Sequence, residues 1–399
     1  MKILLVHNFY QSSSPSGEDA VFRNEVDLLK KNGIDVLTFE KYNDDVRTFS
    51  AKIKTAIEIP WSRKTYKELK DLLKKEKPDI AHFHNIWYLI SPSAYYACKD
   101  AGVPVVQTLH NFRFFCINGL LMRNGRICEE CIGKIPWRGI RYGCYRGSRM
   151  YSLPIAIADG IHFLKGTWRK KVDAFIALTE FGKKKYIECG LPEAKNFVKP
   201  NFLPDLPVTP LAETPFAPPY AIFLGRLSAE KGLSVLINAI SLLRLNVKKR
   251  ILMKIVGDGP LRENLQQIVK YGNVEEIEFT GKKSFTEVTE LLKYSRFMVL
   301  PALSYEGFPM AIREAFACGK PVIASRLGAM AELVEDRKTG LLFEPGNPED
   351  LATKIHWLTE NEHACEEMGR NARKVFEQRY TAENNFGMLM KIYETVLNR

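Results

Sequence analysis

Long apolar runs are missing from this sequence. Nowhere do about 18 or more uncharged apolar residues follow one another, which speaks against a membrane-spanning helix. The opening "MKILLVHNFY" carries one lysine and a short apolar run ending in polar residues, so it reads as a first strand and not as an export leader. Cysteine is sparse: eight in 399 residues, without an export signal, argue for reduced thiols over a disulfide scaffold and for a cytoplasmic chain. There is no internal repeat and no low-complexity tract. Acidic residues are the minority charge, 46 Asp and Glu against 58 Lys and Arg, giving a net +12. Such a balance favours an anionic partner: nucleic acid, an acidic membrane face or a phosphorylated substrate. No recognised nucleic-acid module accompanies the charge, so nucleic acid is the least favoured of the three.

A chain of this length with 46% hydrophobic residues is too long for one ordinary core and suits two domains. Strand and helix signals alternate in its first half: "KILLVH", a helix around 18–31, "IDVLTF", a helix around 64–76, "DIAHFH" and "VPVVQTL". That alternation predicts an α/β domain with a parallel sheet. It covers 1–205 and is interrupted at about 111–170 by an insertion rich in Gly, Cys, Arg and aromatics. The stretch "LPDLPVTPLAETPFAPP" holds six prolines and no apolar period, which marks a linker at 206–219. The alternation then restarts as "YAIFLGRL", "ILMKIVG", "EIEFTG", "FMVLPA", "KPVIAS" and "GLLFEP", so 220–380 reads as a second domain of the same kind. The expected architecture is two doubly wound, Rossmann-like domains facing across a cleft. A helical tail at 381–399 could cross back to the first domain.

Open parallel sheets bind ligands beyond the carboxyl ends of their strands, and the motifs lie there. "FLGRLSAEKG" ends a strand with Gly225 and Arg226 and brings Lys231 to the next helix, an arrangement suited to a diphosphate. "SYEGFPMAIREAFACGKPVIAS" puts Glu306 in a loop and Glu314 on a short helix at 309–318, started by Pro309 and stopped by Gly319. Two carboxylates in so apolar a run belong at a cleft. "VGDGPL" alone is a tight turn. "HNFYQSSSPSGEDAVF" delivers Gly17 to a helix N-terminus, where backbone can approach a phosphate; the bland alternative is a capped helix. His110 ends a strand and should project into the cleft. His82 and His84 alternate with Phe83 and read mainly as packing or hydrogen-bonding residues; with His110 they imitate a metal site, but no carboxylate spacing supports one.

"GRLSAEKG", "VGDGPL" and "SYEGFPMAIREAFACGKPVIAS", in this order after a Pro-rich linker, resemble the donor-binding half of the retaining glycosyltransferases of family four, group 1 type, with a GT-B fold and a Glu-x7-Glu signature. The first half is similar more loosely, through the Gly17 loop and His110. The resemblance implies that Glu314 binds the ribose of a nucleotide sugar and that Glu306 holds the sugar near its anomeric carbon. Arg226 and Lys231 would neutralise the diphosphate, and amides around Phe308, Met310 and Ala311 would contact sugar or phosphate. His110 would orient the sugar or a hydroxyl. Catalysis would then need no divalent metal and no cofactor, because fixed cations and a helix N-terminus stabilise the leaving group. The resemblance implies transfer from a UDP or GDP sugar to a glycan or lipid-linked acceptor in surface polysaccharide synthesis. The rivals are a sugar-nucleotide epimerase on a similar fold and a catalytically silent glycan-binding scaffold.

The insertion has its own signals. Cys116, Cys128, Cys131 and Cys144 include one CxxC knuckle and supply enough ligands for a structural zinc; the alternative is free thiols in a loop. Around them "GKIPWRGIRYGCYRGSRMYSL" and "IHFLKGTWRKKVDAF" cluster Trp137, Arg138, Arg141, Arg146, Arg149, Trp168, Arg169, Lys170 and Lys171. That cluster suits an anionic lipid surface at the inner face of a cell membrane, or else is a solvated face over packed aromatics.

Overall fold

The computed structural model describes residues 1–12, 16–46, 48–204, 219–246 and 251–398. Apart from its final residue, the linker expected at 206–219 lies outside them. Two compact units form: the first from Met1–Leu121, Cys128–Asn201 and Ala382–Arg399, the second from Met122–Ile127 and Phe202–Thr381.

The first unit is built on strands β1 (Lys2–Phe9), β2 (Asp35–Tyr42), β3 (Ile80–Phe83) and β4 (Val105–Leu109). A two-stranded antiparallel hairpin, β5 (Met122–Arg123) and β6 (Arg126–Ile127), interrupts the series and groups with the second unit. Then follow β7 (Ala174–Ala177) and β8 (Asn196–Val198), and the six long-range strands pair in parallel in the order β2-β1-β3-β4-β7-β8. Parallel strands covered on both faces read as continuous apolar runs, and β3, β4 and β7 are buried throughout. The core joins Ile3, Leu5, Phe22, Leu29, Val106 and Ile176 to Leu389, Tyr393 and Val396 of the last helix, Ala382–Leu397. The tail is therefore part of the first unit's core.

Inside the interval read as an irregular insertion lies a 17-residue helix, Arg149–Lys165, with Pro154 within it. Its apolar residues run around the whole barrel of the helix, so no one-sided stripe announced it.

The second unit carries β9 (Tyr220–Leu224), β10 (Leu252–Val256), β11 (Ile277–Gly281), β12 (Met298–Leu300), β13 (Val322–Ser325) and β14 (Gly340–Phe343). All pair in parallel in the order β11-β10-β9-β12-β13-β14. This is the dinucleotide-fold order, with its switch point between β9 and β12.

Candidate active site

The loops after β9 and β12 are locked together by backbone. Leu303 N–H donates to the Glu230 carbonyl at 2.8 Å. Gly232 has φ +68°, and a Cβ there would stand 1.9 Å from the Pro301 carbonyl oxygen. On the other side Leu227 N–H donates to the Asp258 carbonyl at 3.0 Å, and a Cβ on Gly257 would stand 1.9 Å from the Gly225 carbonyl oxygen. The glycine of "VGDGPL" thus serves close backbone approach that shapes the Gly225–Leu227 turn.

On this frame Lys231 Nζ donates to Glu306 Oε1 at 2.6 Å, with the side chains 21% and 16% exposed. Two residues that the resemblance gave to different parts of a donor are therefore a direct ion pair. Arg226 is exposed on the turn after β9. The helix Met310–Ala317 follows Pro309 at its cap, where no side chain supplies a capping hydrogen bond, and Ile312 N–H donates to the Pro309 carbonyl at 3.0 Å. Met310 and Ala311 are half-buried in its first turn, while Phe308 is buried edge-on against Tyr380, ring centres 5.6 Å apart. Glu314 is half-buried; burial pushes its carboxyl up, and the guanidinium of Arg313, 3.5 Å away, opposes that. Arg313 escaped the sequence reading. It is buried, its Nη1 donates to the Phe202 carbonyl, and burial lowers it to about 10. An arginine between two glutamates in an apolar helix was the available signal.

In the first unit the switch point lies between β1 and β3. Gly17 opens the helix Gly17–Lys31, whose end is closed by a capping box between Ser16 and Asp19, with Glu18 and Asp19 in the first turn. An anion there meets two carboxylates, and the capped-helix alternative describes the geometry. His110, after β4, is half-buried, and its Nε2 lies 3.0 Å from Nδ1 of His84. His84 Nε2 lies 3.0 Å from Glu25 Oε1, and His82 Nδ1 is as close to the same oxygen. Lys199 Nζ donates to Glu25 Oε2 at 2.9 Å and to Asn385 at 3.0 Å. Glu25, His82 and His84 present ligand atoms within 4.8 Å of one another, a spacing a metal ion could use. Lys199 already neutralises that carboxylate, however, and a divalent ion would have to displace it. Glu25 and Lys199 were not legible: they come from a helix and a strand end far apart in the chain.

The four insertion cysteines are half-buried and form no disulfide. Burial, then the charges of Cys116, Cys144 and Cys128, push Cys131 up to about 11, so the four do gather. Among the described residues the ligand atoms that close to within 4.8 Å in a group of three or more are those of Glu25, His82 and His84, so no three of these thiols do. Of the basic cluster, Trp168 is buried, Lys171 stacks over Tyr96 at 4.8 Å, and Arg138 pairs with Glu130 at 3.0 Å. Arg141, Arg146, Arg149, Arg169 and Lys170 are exposed. Beside them the Arg149–Lys165 helix exposes Met150, Leu153, Ile157, Ile161 and Leu164. Among the described residues no helix is long and apolar enough to cross a membrane.

Residues 23–204 match Glycosyltransferase Family 4, and residues 213–375 match the glycosyl transferases group 1. The chain is 37% identical over 175 residues to the uncharacterized glycosyltransferase MJ1178 of Methanocaldococcus jannaschii, covering 44% of this chain and 48% of that protein. It is 26% identical over 180 residues to O-antigen chain mannosyltransferase C of Escherichia coli, covering 45% and 47%. The chain spans about half the length of the curated relatives it matches. The crystal structure of Anabaena Alr3699/HepE in complex with UDP-glucose has a TM-score of 0.65 and 18% identity over 100% of both chains, a likeness of fold. Matches in both halves, and a fold shared along the whole length, lead to one conclusion: the chain belongs to the family-four glycosyltransferases and has their GT-B fold.

Proposed function

We propose that this protein is a retaining glycosyltransferase that moves a sugar from a UDP or GDP sugar to a glycan or lipid-linked glycan in surface polysaccharide synthesis. The observation that carries the reading is the Lys231–Glu306 pair at 2.6 Å, held where the loops after β9 and β12 meet and followed by the helix Met310–Ala317 bearing Glu314. Breaking a glycosyl phosphate bond leaves negative charge on the diphosphate and positive character on the sugar. Lys231 and the exposed Arg226 supply fixed cations for the first, and the amides of the Met310–Ala317 helix add to them. The leaving group is then stabilised without a divalent ion. A diphosphate that draws Lys231 toward itself frees Glu306 to face the sugar, and Glu314 takes the ribose hydroxyls. His110 orients a sugar or acceptor hydroxyl.

The nucleotide sugar is supported by the fold shared with HepE, which was solved with UDP-glucose, and the surface glycan by the likeness to an O-antigen chain mannosyltransferase. A membrane-side acceptor is supported by the exposed apolar residues of the Arg149–Lys165 helix, with Arg141, Arg146 and Arg149 exposed next to them.

Thermal-shift titration with UDP, GDP and ADP, then with their sugars, tests the reading, because a ligand that binds only the folded state raises its melting temperature. UDP or GDP is expected to stabilise, and one of its sugars to be consumed when acceptor glycan is added. No shift with any of the nucleotides or sugars would contradict it.

A further inference from the structure

We propose that Glu25 and His84 form a positioning relay that fixes His110 in its Nε2–H tautomer, so that Nδ1 of His110 is presented as a hydrogen-bond acceptor to a substrate hydroxyl. The inference rests on the reading of His110 as a substrate-facing residue and adds the polarity of its contact.

Glu25 is 1% exposed and receives Lys199 on Oε2 and two imidazole nitrogens on Oε1. Bonded to Lys199 through Oε2 and to His84 through Oε1, Glu25 stays ionised; despite its burial, Lys199 and the two nearby histidines hold it well below the usual range. An ionised carboxylate only accepts hydrogen bonds, so His84 must carry its proton on Nε2, 3.0 Å from Oε1. Burial keeps His84 neutral by lowering it to about 4. Its Nδ1 is then a bare lone pair.

That lone pair faces Nε2 of His110 at 3.0 Å, with the two rings stacked 5.2 Å apart at 27°. Two bare nitrogens at this distance would repel, so His110 carries its proton on Nε2. Burial and the neighbouring His84 and His7 depress His110 as well. The ring is neutral, and Nδ1 is its acceptor; no hydrogen bond reaches that atom among the described residues. The groups facing the relay from every side are His82, Lys199, His7 and Tyr393, the last bonded to His82 Nδ1 at 2.7 Å. None of them offers His84 Nδ1 a proton. The hydroxyl that meets His110 therefore donates to it, which leaves the hydroxyl oxygen more electron-rich and free to accept elsewhere or to attack.

The test is nitrogen-15 NMR of the full chain labelled in histidine, near neutral pH, using two-bond correlations that distinguish ring tautomers. Signals are assigned with His84→Asn and His110→Asn. His84 and His110 should both be neutral and protonated at Nε2; a proton on Nδ1 of His110, an even mixture or a charged ring would overturn the relay. In His84→Asn the amide oxygen can still accept from His110, so the tautomer should persist. In His84→Leu it should become mixed, and should that variant not fold, the wild-type and His84→Asn spectra decide alone. With UDP-glucose as donor, or GDP-mannose if GDP is the stabilising nucleotide, His84→Leu should lower kcat about ten-fold at unchanged KM, while His84→Asn stays near wild type. Full turnover in His110→Asn with the tautomer as stated would leave the ring assignment standing and overturn the substrate-facing role on which the relay rests.

Discussion

The two units hold their chemistry in opposite ways. In the second, the candidate residues sit on strand-end loops and on the short helix that follows one of them, most of them partly exposed, and the frame that joins the loops is glycine backbone packed on backbone. In the first, a carboxylate, a lysine and three histidines gather in and beside the interior, drawn from one helix, two strand ends and the segment around Lys199. A loop site can open for a ligand at small cost, whereas a buried network must be made once and kept. The second arrangement is thus suited to exchanging partners and the first to fixing one ring.

That contrast breaks first at Glu25. Glu25→Ala leaves Lys199 buried without its counter-charge and His84 Nε2 without an acceptor, and should cost about 3–5 kcal/mol of stability. Lys231→Ala, at a partly exposed pair, should cost about 1 kcal/mol or less. Urea unfolding of both variants checks the pair; equal losses would erase the distinction.

Acid should find the same weak point. The folded His84 value of about 4 lies below the ordinary 6.5, so the unfolded chain takes up the proton first as pH falls. The stability from keeping this ring neutral is complete above 6.5 and is lost as pH falls toward 4, at roughly 1.4 kcal/mol per pH unit for each such histidine. His110 is shifted in the same direction, and Glu25, held low by its partners, extends the loss below 4.5. Unfolding free energies should be level from pH 7.5 to 6.5 and then decline as pH falls to about 5, and a profile flat across that lower range would contradict a buried neutral relay.

At the second site the frame is the weak point. Gly232→Ala places a Cβ 1.9 Å from the Pro301 carbonyl oxygen at a left-handed φ, so the β9 and β12 loops must part. A loss of roughly 1–3 kcal/mol, with weakened nucleotide binding, is expected by calorimetry. Unchanged affinity would mean that the close approach does not shape the site.

How much of this the sequence disclosed follows from the same contrast. Contiguous motifs carried the second site: Arg226 with Lys231, and Glu306 with Glu314, are visible because loop sites are written in short stretches. Their mutual pairing was not visible, since it depends on β9 and β12 being neighbours although they stand far apart in the chain. His110 was legible as a strand-end residue, but its partners were not. Glu25 lies on an amphipathic helix where a buried acid looks like any other polar position, and Lys199 follows a short strand. The strands themselves were legible because parallel strands are apolar runs. The Arg149–Lys165 helix was not, because Pro154 and an all-round apolar surface hide its period.

The smallest effect expected is at that helix. Arg149→Gln should weaken co-sedimentation with anionic vesicles by about 1 kcal/mol, and Leu164→Glu should lower it further, both with nucleotide affinity intact. Binding equal to wild type at low salt would remove the membrane-side acceptor.

The central claim is that Glu306 and Glu314 hold different parts of one nucleotide sugar, and it is tested most directly by measuring UDP and GDP affinity together with turnover in Glu306→Gln and Glu314→Gln. Loss of a hydrogen bond to a charged group costs about 1.5–3 kcal/mol, so Glu314→Gln should weaken free nucleotide binding by roughly ten-fold or more. Glu306→Gln should leave that affinity nearly unchanged and chiefly reduce turnover. Normal turnover in both variants, or the same loss of nucleotide affinity in each, would contradict the account.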